Sequence, residues 1–407
     1  MTATQGPILF VSYGGGHVNM IVPVVKQLLA DGMDDPIVLG LTTAGAALDR
    51  AGISYVGYRD LIGPDDTTAL EHGERLLREM GASATVAREE SIAYLGLSYF
   101  DLVVRFGEEQ ARRLYAEQNR HAFLPLTVME RFFEQVRPSV VVATNAPKTE
   151  KAAILIARKL GIPAVCVVDL FDPREFADRL SNNAYADRIC MSSDFAKQKL
   201  VEAGRDPSHI VVTGNPAFDV LADREQIEAE GQAFLTDLGW MGKKVILWAK
   251  QVQPLDYDLY ERIELLLFDL LKKHADWRLV FRPHPSDPGE YLRLPEGVHL
   301  SRQDERLPAV LSVADVIITM NSTVALEAAL LATPVITADM SKVAKFVPYS
   351  EMGVSLGLKD LADLEQQIQQ CLNGEFQPIA LPKAGQAAAK VKQVILELQR
   401  KKKATHA

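Results

Sequence analysis

The stretch LSVADVIITMNSTVALEAALLATPVIT, residues 311–337, decides the fold. A strand-like run opens into Asn321-Ser322-Thr323, an apolar helix-like stretch follows from Val324 to Ala332, and Val335–Thr337 is another strand. Upstream, the strand-like Arg278–Phe281 opens into Arg282-Pro283-His284-Pro285. Together these read as strand–loop, then strand–loop–helix–strand, with polar groups at the carboxyl ends of parallel strands. Ligands of open α/β sheets bind at that edge. Small hydroxyl residues at a helix start offer free N–H groups and the positive end of the dipole to a phosphate. A nucleotide site is the first expectation.

The same alternation extends outward. The first strand is expected at Pro7–Ser12, ending in Tyr13-Gly14-Gly15-Gly16-His17 ahead of a helix to about Leu29, with Pro23 within its first turn or so. Ile37–Leu39, Pro138–Ala143, Ala164–Val168, Arg188–Met191 and His209–Thr213 read as further strands, with helices near 150–160 and 194–203. Residues 61–133 carry Glu, Arg, Leu and Tyr at helical spacing and read as a helical excursion. After a polar helical segment at 223–238 comes a second series: Lys244–Trp248, Arg278–Phe281, Val298–Leu300, Val316–Thr319 and Val335–Thr337. The pattern predicts an α/β protein of two doubly wound, parallel-sheet, Rossmann-like domains facing a cleft. The expected bounds are 1–220, 221–384, and a last helix with a basic tail at 385–407 that packs across the junction. A chain of 407 residues is long for a single core.

Net charge is -9, so no global basic character points to nucleic acid. The cluster Arg400-Lys-Lys-Lys403 reads as a solubilising tail, with weak peripheral contact to an anionic membrane as the alternative. Cys166, Cys190 and Cys371 are scattered, without metal spacing, which fits a reducing compartment. No signal-like segment opens the chain and no apolar run reaches about 18 residues, so a soluble, cytoplasmic protein without a transmembrane segment is expected. No metal site is inferred.

Several residues carry candidate chemistry. Glu327 lies in an otherwise apolar helical run, and a buried carboxylate needs donors or a cation. A ribose diol one turn from a phosphate at Asn321-Ser322-Thr323 would supply two donors; an internal salt bridge is the structural alternative. In Arg282-Pro-His284-Pro the prolines stiffen the loop, and its Arg and His suit a diphosphate. His17 follows glycines that permit close approach of a ligand. A helix start favours the neutral imidazole that a general base requires; a tight turn with a capping histidine is the alternative. Lys250 and Gln251 follow the first strand of the second series, facing either a ligand or plain surface. Asp169, with Asp172 nearby, either orients an acceptor hydroxyl or caps the next turn. Asp256 and Asp258 are read as starting a helix.

These residues, in this order, resemble the GT-B superfamily of sugar-nucleotide enzymes. Gly14-Gly-Gly-His17-Val-Asn19 is similar to the acceptor-domain loop of its glycosyltransferases, and Val212-Thr-Gly-Asn-Pro216 to an interdomain stretch. Arg282-Pro-His-Pro285 with Ser322-Thr323 and Glu327 resembles the donor site of bacterial glycosyltransferases and of the UDP-N-acetylglucosamine 2-epimerases. The resemblance implies a nucleotide-diphospho-sugar, UDP-linked, as co-substrate, with no other cofactor. It puts the diphosphate at Ser322-Thr323 and His284, the ribose at Glu327, the base near Arg302, and Gly15 and Gly16 beside the donor. Two departures stand out. Thr319 occupies the position eight before Glu327, where retaining branches carry a second glutamate. The epimerases show Gly-Asp and Ser-Gly-Gly where this chain has Thr144-Asn145 and Asn-Ser-Thr.

The expected activity is therefore an inverting glycosyl transfer. His17 is the base, Asp169 assists, and the acceptor is a hydroxyl of a saccharide, lipid or natural product. A 2-epimerase or hydrolase using Asp169, Glu150 or His284 is the alternative within the fold. A non-catalytic sugar-nucleotide-binding protein is the alternative of another class.

Overall fold

The computed structural model describes residues 6–32, 36–81, 85–169, 177–251, 256–284, 287, 291, 294–302, 304–342, 344 and 347–406. Asp172 and Pro285 lie outside them. The chain divides into two compact units, Met1–Asp219 with Gln386–Ala407, and Val220–Gly385.

The first unit is built on six parallel strands: β1 (Ile8–Ser12), β2 (Ile37–Gly40), β3 (Val140–Thr144), β4 (Ala164–Val167), β5 (Arg188–Met191) and β6 (Ile210–Val212). Their order is β2-β1-β3-β4-β5-β6. Side chains alternate between two cores. Leu9, Val11, Val141 and Ala143 join one apolar cluster, while Ile8, Phe10, Val140 and Val142 join the other. Both faces are covered by helices, which is why these strands read as continuous apolar runs rather than alternating ones.

One face carries the helical excursion, resolved into Thr67–Met80, Arg88–Phe106, Glu108–Gln118 and Leu126–Val136. The first two cross backbone to backbone. A Cβ at Gly73 would lie 2.1 Å from the Ile92 carbonyl oxygen, and one at Gly96 2.1 Å from that of Ala69. The other face carries the helix Gly16–Ala30 and the C-terminal helix Ala387–His406. That last helix, expected across the junction, instead buries Ala388, Val391 and Ile395 in the first unit's core. Its start is fixed by the Asp219 carboxylate, which accepts from the Ala387 and Ala388 N–H groups at 3.1 and 2.8 Å. Pro23 lies well inside its helix rather than in the first turn, because the helix begins at Gly16. It removes the donor that would meet the Asn19 carbonyl in a regular helix.

The second unit repeats the design with β7 (Lys244–Ala249), β8 (Trp277–Arg282), β9 (Val298–Leu300), β10 (Val316–Thr319), β11 (Val335–Thr337) and β12 (Leu356–Gly357), all parallel. The order is β12-β11-β10-β7-β8-β9. β12 was not expected; two residues, one of them glycine, leave no apolar run to read.

In each sheet the winding reverses once. The reversal falls between β1 and β3 in the first unit and between β7 and β10 in the second. The carboxyl ends of those strand pairs are the positions where a doubly wound sheet leaves a crevice for ligand.

Candidate functional site

Each unit carries polar groups at its reversal point. In the first, β1 ends at Ser12 and runs through the three glycines into the helix at Gly16. The glycines are there for different reasons. A Cβ on Gly14 would lie 2.9 Å from the Thr43 carbonyl carbon, so close packing excludes a side chain. Gly15 has φ +67, which favours glycine. A Cβ on Gly16 would meet only Asp169 Oδ2, at 3.9 Å.

His17 is half-buried, and its Nδ1 has no hydrogen-bond partner among the described residues. Across the reversal, the helix Thr149–Lys159 brings Glu150 under the glycine turn. Glu150 is buried and its Oε1 accepts the Tyr13 N–H at 2.6 Å. Burial pushes its carboxyl above the usual range, while backbone N–H donors and the nearby His17 and Lys148 pull it back.

Asn145 and Asp169 complete the set. The Asp169 N–H donates to Asn145 Oδ1 at 3.3 Å. Asp169 Oδ1 is buried without a partner among the described residues. The buried Arg179 donates to the Asn145 carbonyl, and Arg205, also buried, holds the same segment by donating to the carbonyls of Leu180, Asn182 and Ala186. The first unit thus gathers His17, Glu150, Asn145 and Asp169 at one sheet edge. Arg179 had no sequence signal, being one arginine among many.

In the second unit the loops at the reversal point are joined where the Asn321 N–H donates to Gln251 Oε1 at 2.9 Å. Asn321 Oδ1 is buried and has no partner among the described residues. Ser322 Oγ accepts the Val324 N–H at 3.3 Å, and Thr323 precedes the short helix Val324–Leu330. Glu327, in that helix, is half-buried and has no hydrogen-bond or ion-pair partner among the described residues. Burial pushes its carboxyl up to about 7. The internal salt bridge that is the alternative reading is not made among the described residues.

The other predicted residues divide. Lys250 turns inward, with its ammonium 3.2 Å from Glu264 Oε1 and 3.8 Å from Asp287 Oδ2, so it is not an open cation at the sheet edge. Arg282 is likewise occupied. Its Nη1 donates to Ser301 Oγ at 2.8 Å and to the carbonyls of Arg302 and Glu305 at 2.9 Å, so it fastens the loop after β9. His284 is exposed at the end of β8. Arg302 is exposed and pairs with Asp304 at 3.0 Å. Asp256, read as a helix start, is buried and accepts from Ser341 Oγ at 2.7 Å and the Lys342 N–H at 3.1 Å, while Asp258 lies in the helix's first turn. A groove of about 680 Å³ lies beside β2, lined among others by Thr42, Asp49, Tyr55, Arg59 and Glu90. None of the predicted site residues lines it.

The profile of the UDP-N-acetylglucosamine 2-epimerase family matches residues 117–395, more than half of the chain. No curated protein sequence matches. Among solved structures, the chain is similar to UDP-GlcNAc 2-epimerase from Neisseria meningitidis bound to UDP-GlcNAc, with 16% identity, TM-score 0.61, and 96% and 100% of the two chains covered. It is also similar to UDP-GlcNAc 2-epimerase from Methanocaldococcus jannaschii, at 14% identity and TM-score 0.61, covering 96% and 99%. A glycosyltransferase from Rickettsia africae aligns at 14% identity and TM-score 0.52, covering 99% and 98%. At such identities the likeness is one of fold, the GT-B arrangement of two Rossmann-like domains. No described helix is long and apolar enough to cross a membrane.

Proposed function

This chain belongs to the UDP-N-acetylglucosamine 2-epimerase family, and we propose that it binds a UDP-linked amino sugar and inverts that sugar at C2. The glycosyl transfer expected from the sequence becomes the second reading. The observation that carries the proposal is the pair of carboxyl groups at the first unit's reversal point. Glu150 is buried with its carboxyl held above the usual range, and Asp169 has an oxygen buried without a partner among the described residues.

Inverting a carbon that bears hydrogen means removing a proton from one face and returning one to the other. That takes two acid/base groups, or one that reaches both faces. The proton at C2 has no carbonyl beside it, so its removal is coupled to departure of the nucleotide from C1. The electron pair of the C2–H bond forms the C1–C2 double bond while the C1–O bond breaks. The return step reverses this on the opposite face. A desolvated carboxyl whose proton is held toward neutral pH is suited to such transfers. In this reading Glu150 and Asp169 share the proton work.

The second unit holds the nucleotide. Glu327, half-buried and without a partner among the described residues, accepts from the ribose hydroxyls. The Asn321-Ser322-Thr323 turn and His284 meet the diphosphate, and the base lies toward Arg302. No further cofactor is used. We place the protein in the cytoplasm, which three free, buried cysteines support.

The second reading rests on two features. Asn145 and the Asn-Ser-Thr turn depart from the Gly-Asp and Ser-Gly-Gly of epimerases, and His17, at a helix start, has a ring nitrogen without a partner among the described residues. There His17 takes the proton of an acceptor hydroxyl. One experiment separates the readings: incubation with UDP-N-acetylglucosamine in D₂O, followed by NMR. Deuterium at C2 of both epimers supports epimerisation. Intact donor that releases UDP only when a hydroxyl acceptor is added supports transfer. Free sugar and UDP without acceptor indicate hydrolysis.

A further inference from the structure

Two cations of the first unit have no counter-charge among the described residues. Arg120 is exposed on the short turn Asn119–Ala122, and Lys148 is half-buried at the residue before the helix Thr149–Lys159. Neither side chain makes a hydrogen bond or an ion pair with a described residue. A column of side chains joins the two segments. Thr149 Oγ1 lies 2.8 Å from the Tyr58 hydroxyl oxygen. The Tyr58 ring packs edge-on to Tyr94 at 5.2 Å, and Tyr94 packs edge-on to Phe123 at 5.9 Å. The Phe123 N–H donates back to the Arg120 carbonyl at 3.3 Å. Tyr94 is only 5% exposed, yet its hydroxyl makes no hydrogen bond among the described residues. These groups act on one another. Burial lowers the Lys148 pKa, Arg120 lowers it further, and Glu150 opposes both. Burial also keeps the Tyr94 hydroxyl protonated, and so able to donate, with Tyr13, Arg120 and Glu150 among its charged or polar neighbours.

We propose that Arg120, Lys148 and the Tyr94 hydroxyl form a carboxylate site, and that the substrate is a UDP-linked amino sugar oxidised to an acid at C6. Two like charges beside a stranded buried donor, in a chain of net charge -9, are a costly arrangement that an anion relieves. Glu150 does not fill that place, since its Oε1 accepts the Tyr13 N–H and it makes no ion pair with either cation. The inference rests on the C2 reading above. Glu150 and Asp169 act on the sugar and the diphosphate is assigned to the second unit, so the group that reaches cations beside Glu150 belongs to the sugar. A neutral N-acetylhexosamine leaves both cations uncompensated. C6 is the one carbon outside the pyranose ring, so it can carry a carboxylate while the ring stays closed and C1 and C2 stay free to react. Its two oxygens match an arginine, a lysine and a hydroxyl as charge-assisted donors.

The test compares UDP-N-acetylglucosamine with UDP-N-acetylglucosaminuronate, its C6 acid, by calorimetric affinity and by deuterium exchange at C2. The parent should bind the acid at least about tenfold more tightly than the neutral sugar, the scale of one hydrogen bond to a charged group. That ratio should fall toward one in Lys148→Met and in Arg120→Met, and be largely restored in Arg120→Lys. It should also fall in Tyr94→Phe, which keeps the ring contacts and removes the donor. Arg120 is exposed, so Arg120→Met decides the matter even if Lys148→Met folds poorly. A parent ratio of one or less overturns the proposal, as does a ratio that the Met variants leave unchanged. If UDP alone loses as much affinity as the acid in those variants, the cations meet the diphosphate and the proposal is overturned. If neither sugar exchanges at C2, the epimerase reading fails, while the affinity ratio still decides the carboxylate site.

Discussion

The Tyr13 N–H donates to Glu150 Oε1 at 2.6 Å, joining the ends of β1 and β3 across 137 positions of chain. This bond holds the glycine turn to the carboxyl group that we assign to proton transfer. Glu150→Gln keeps an acceptor oxygen for Tyr13 and removes a buried charge, so its melting temperature should match or exceed that of the parent. Glu150→Ala strands the donor and should lose about 1–3 kcal/mol. Both should lose turnover by about 100-fold, the usual scale for an acid/base group. Thermal unfolding beside a turnover assay separates the two roles; a Glu150→Gln variant with full turnover removes Glu150 from the mechanism.

Asp169 should affect chemistry without affecting nucleotide binding. Its backbone N–H makes the bond to Asn145, and that bond survives a side-chain exchange. Asp169→Asn should therefore fold normally, bind UDP as the parent does, and lose turnover by about 100-fold. Calorimetric titration with UDP and NMR detection of deuterium exchange at C2 make the comparison. Weakened UDP binding would place Asp169 at the nucleotide instead.

Legibility in the sequence followed burial. Strands covered on both faces read as continuous apolar runs, so Arg188–Met191, Val316–Thr319 and Val335–Thr337 could be bounded to the residue. β12 could not, because two residues carry no pattern. Glu327 stood out as one carboxylate in an apolar helix; it is half-buried and has no hydrogen-bond or ion-pair partner among the described residues. Lys250 and Arg282 were legible as cations at strand ends. What they point at was not, since Asp287, Glu264 and the Glu305 carbonyl reach them only through the fold. Arg179 lay beyond pattern reading for the same reason: its partner, the Asn145 carbonyl, is 34 positions away.

Glu327 should make both stability and binding depend on pH, in opposite senses. Its carboxyl moves from 4.5 to about 7 on folding because burial disfavours the charge. Between those values the folded state binds more protons than the unfolded one, so this group's contribution to stability falls as pH rises. At about 1.4 kcal/mol per pKa unit the loss approaches about 3 kcal/mol by pH 8. Glu327→Gln should abolish that share and be the more stable protein at pH 8, measured by denaturant unfolding at pH 5 and pH 8. Binding runs the other way. A carboxylate that accepts ribose hydroxyls must be ionised, so affinity for UDP-N-acetylglucosamine should rise about tenfold from pH 6 to pH 8 and stay flat in Glu327→Gln. A flat profile in the parent would take Glu327 away from the ribose.

The bond from the Asn321 N–H to Gln251 Oε1, at 2.9 Å, is the second unit's counterpart of the Tyr13–Glu150 contact. It spans the gap between the ends of β10 and β7, where the winding of the sheet reverses. Gln251 thus fixes the direction of the backbone entering Ser322 and Thr323, whose hydroxyl and N–H groups are assigned to the diphosphate. Gln251→Ala leaves the Asn321 N–H without its acceptor and lets the turn rotate. Gln251→Glu keeps the acceptor oxygen but adds a negative charge beside the phosphates. The two substitutions therefore predict different patterns. In Gln251→Ala, UDP affinity should fall about fivefold to tenfold with a stability loss of about 1 kcal/mol. In Gln251→Glu, stability should hold while UDP affinity falls further, and added salt should restore part of it by screening the repulsion. Uridine, which carries no phosphate, should bind Gln251→Glu as it binds the parent. Equal losses for UDP and uridine in Gln251→Glu would mean that the phosphates lie elsewhere.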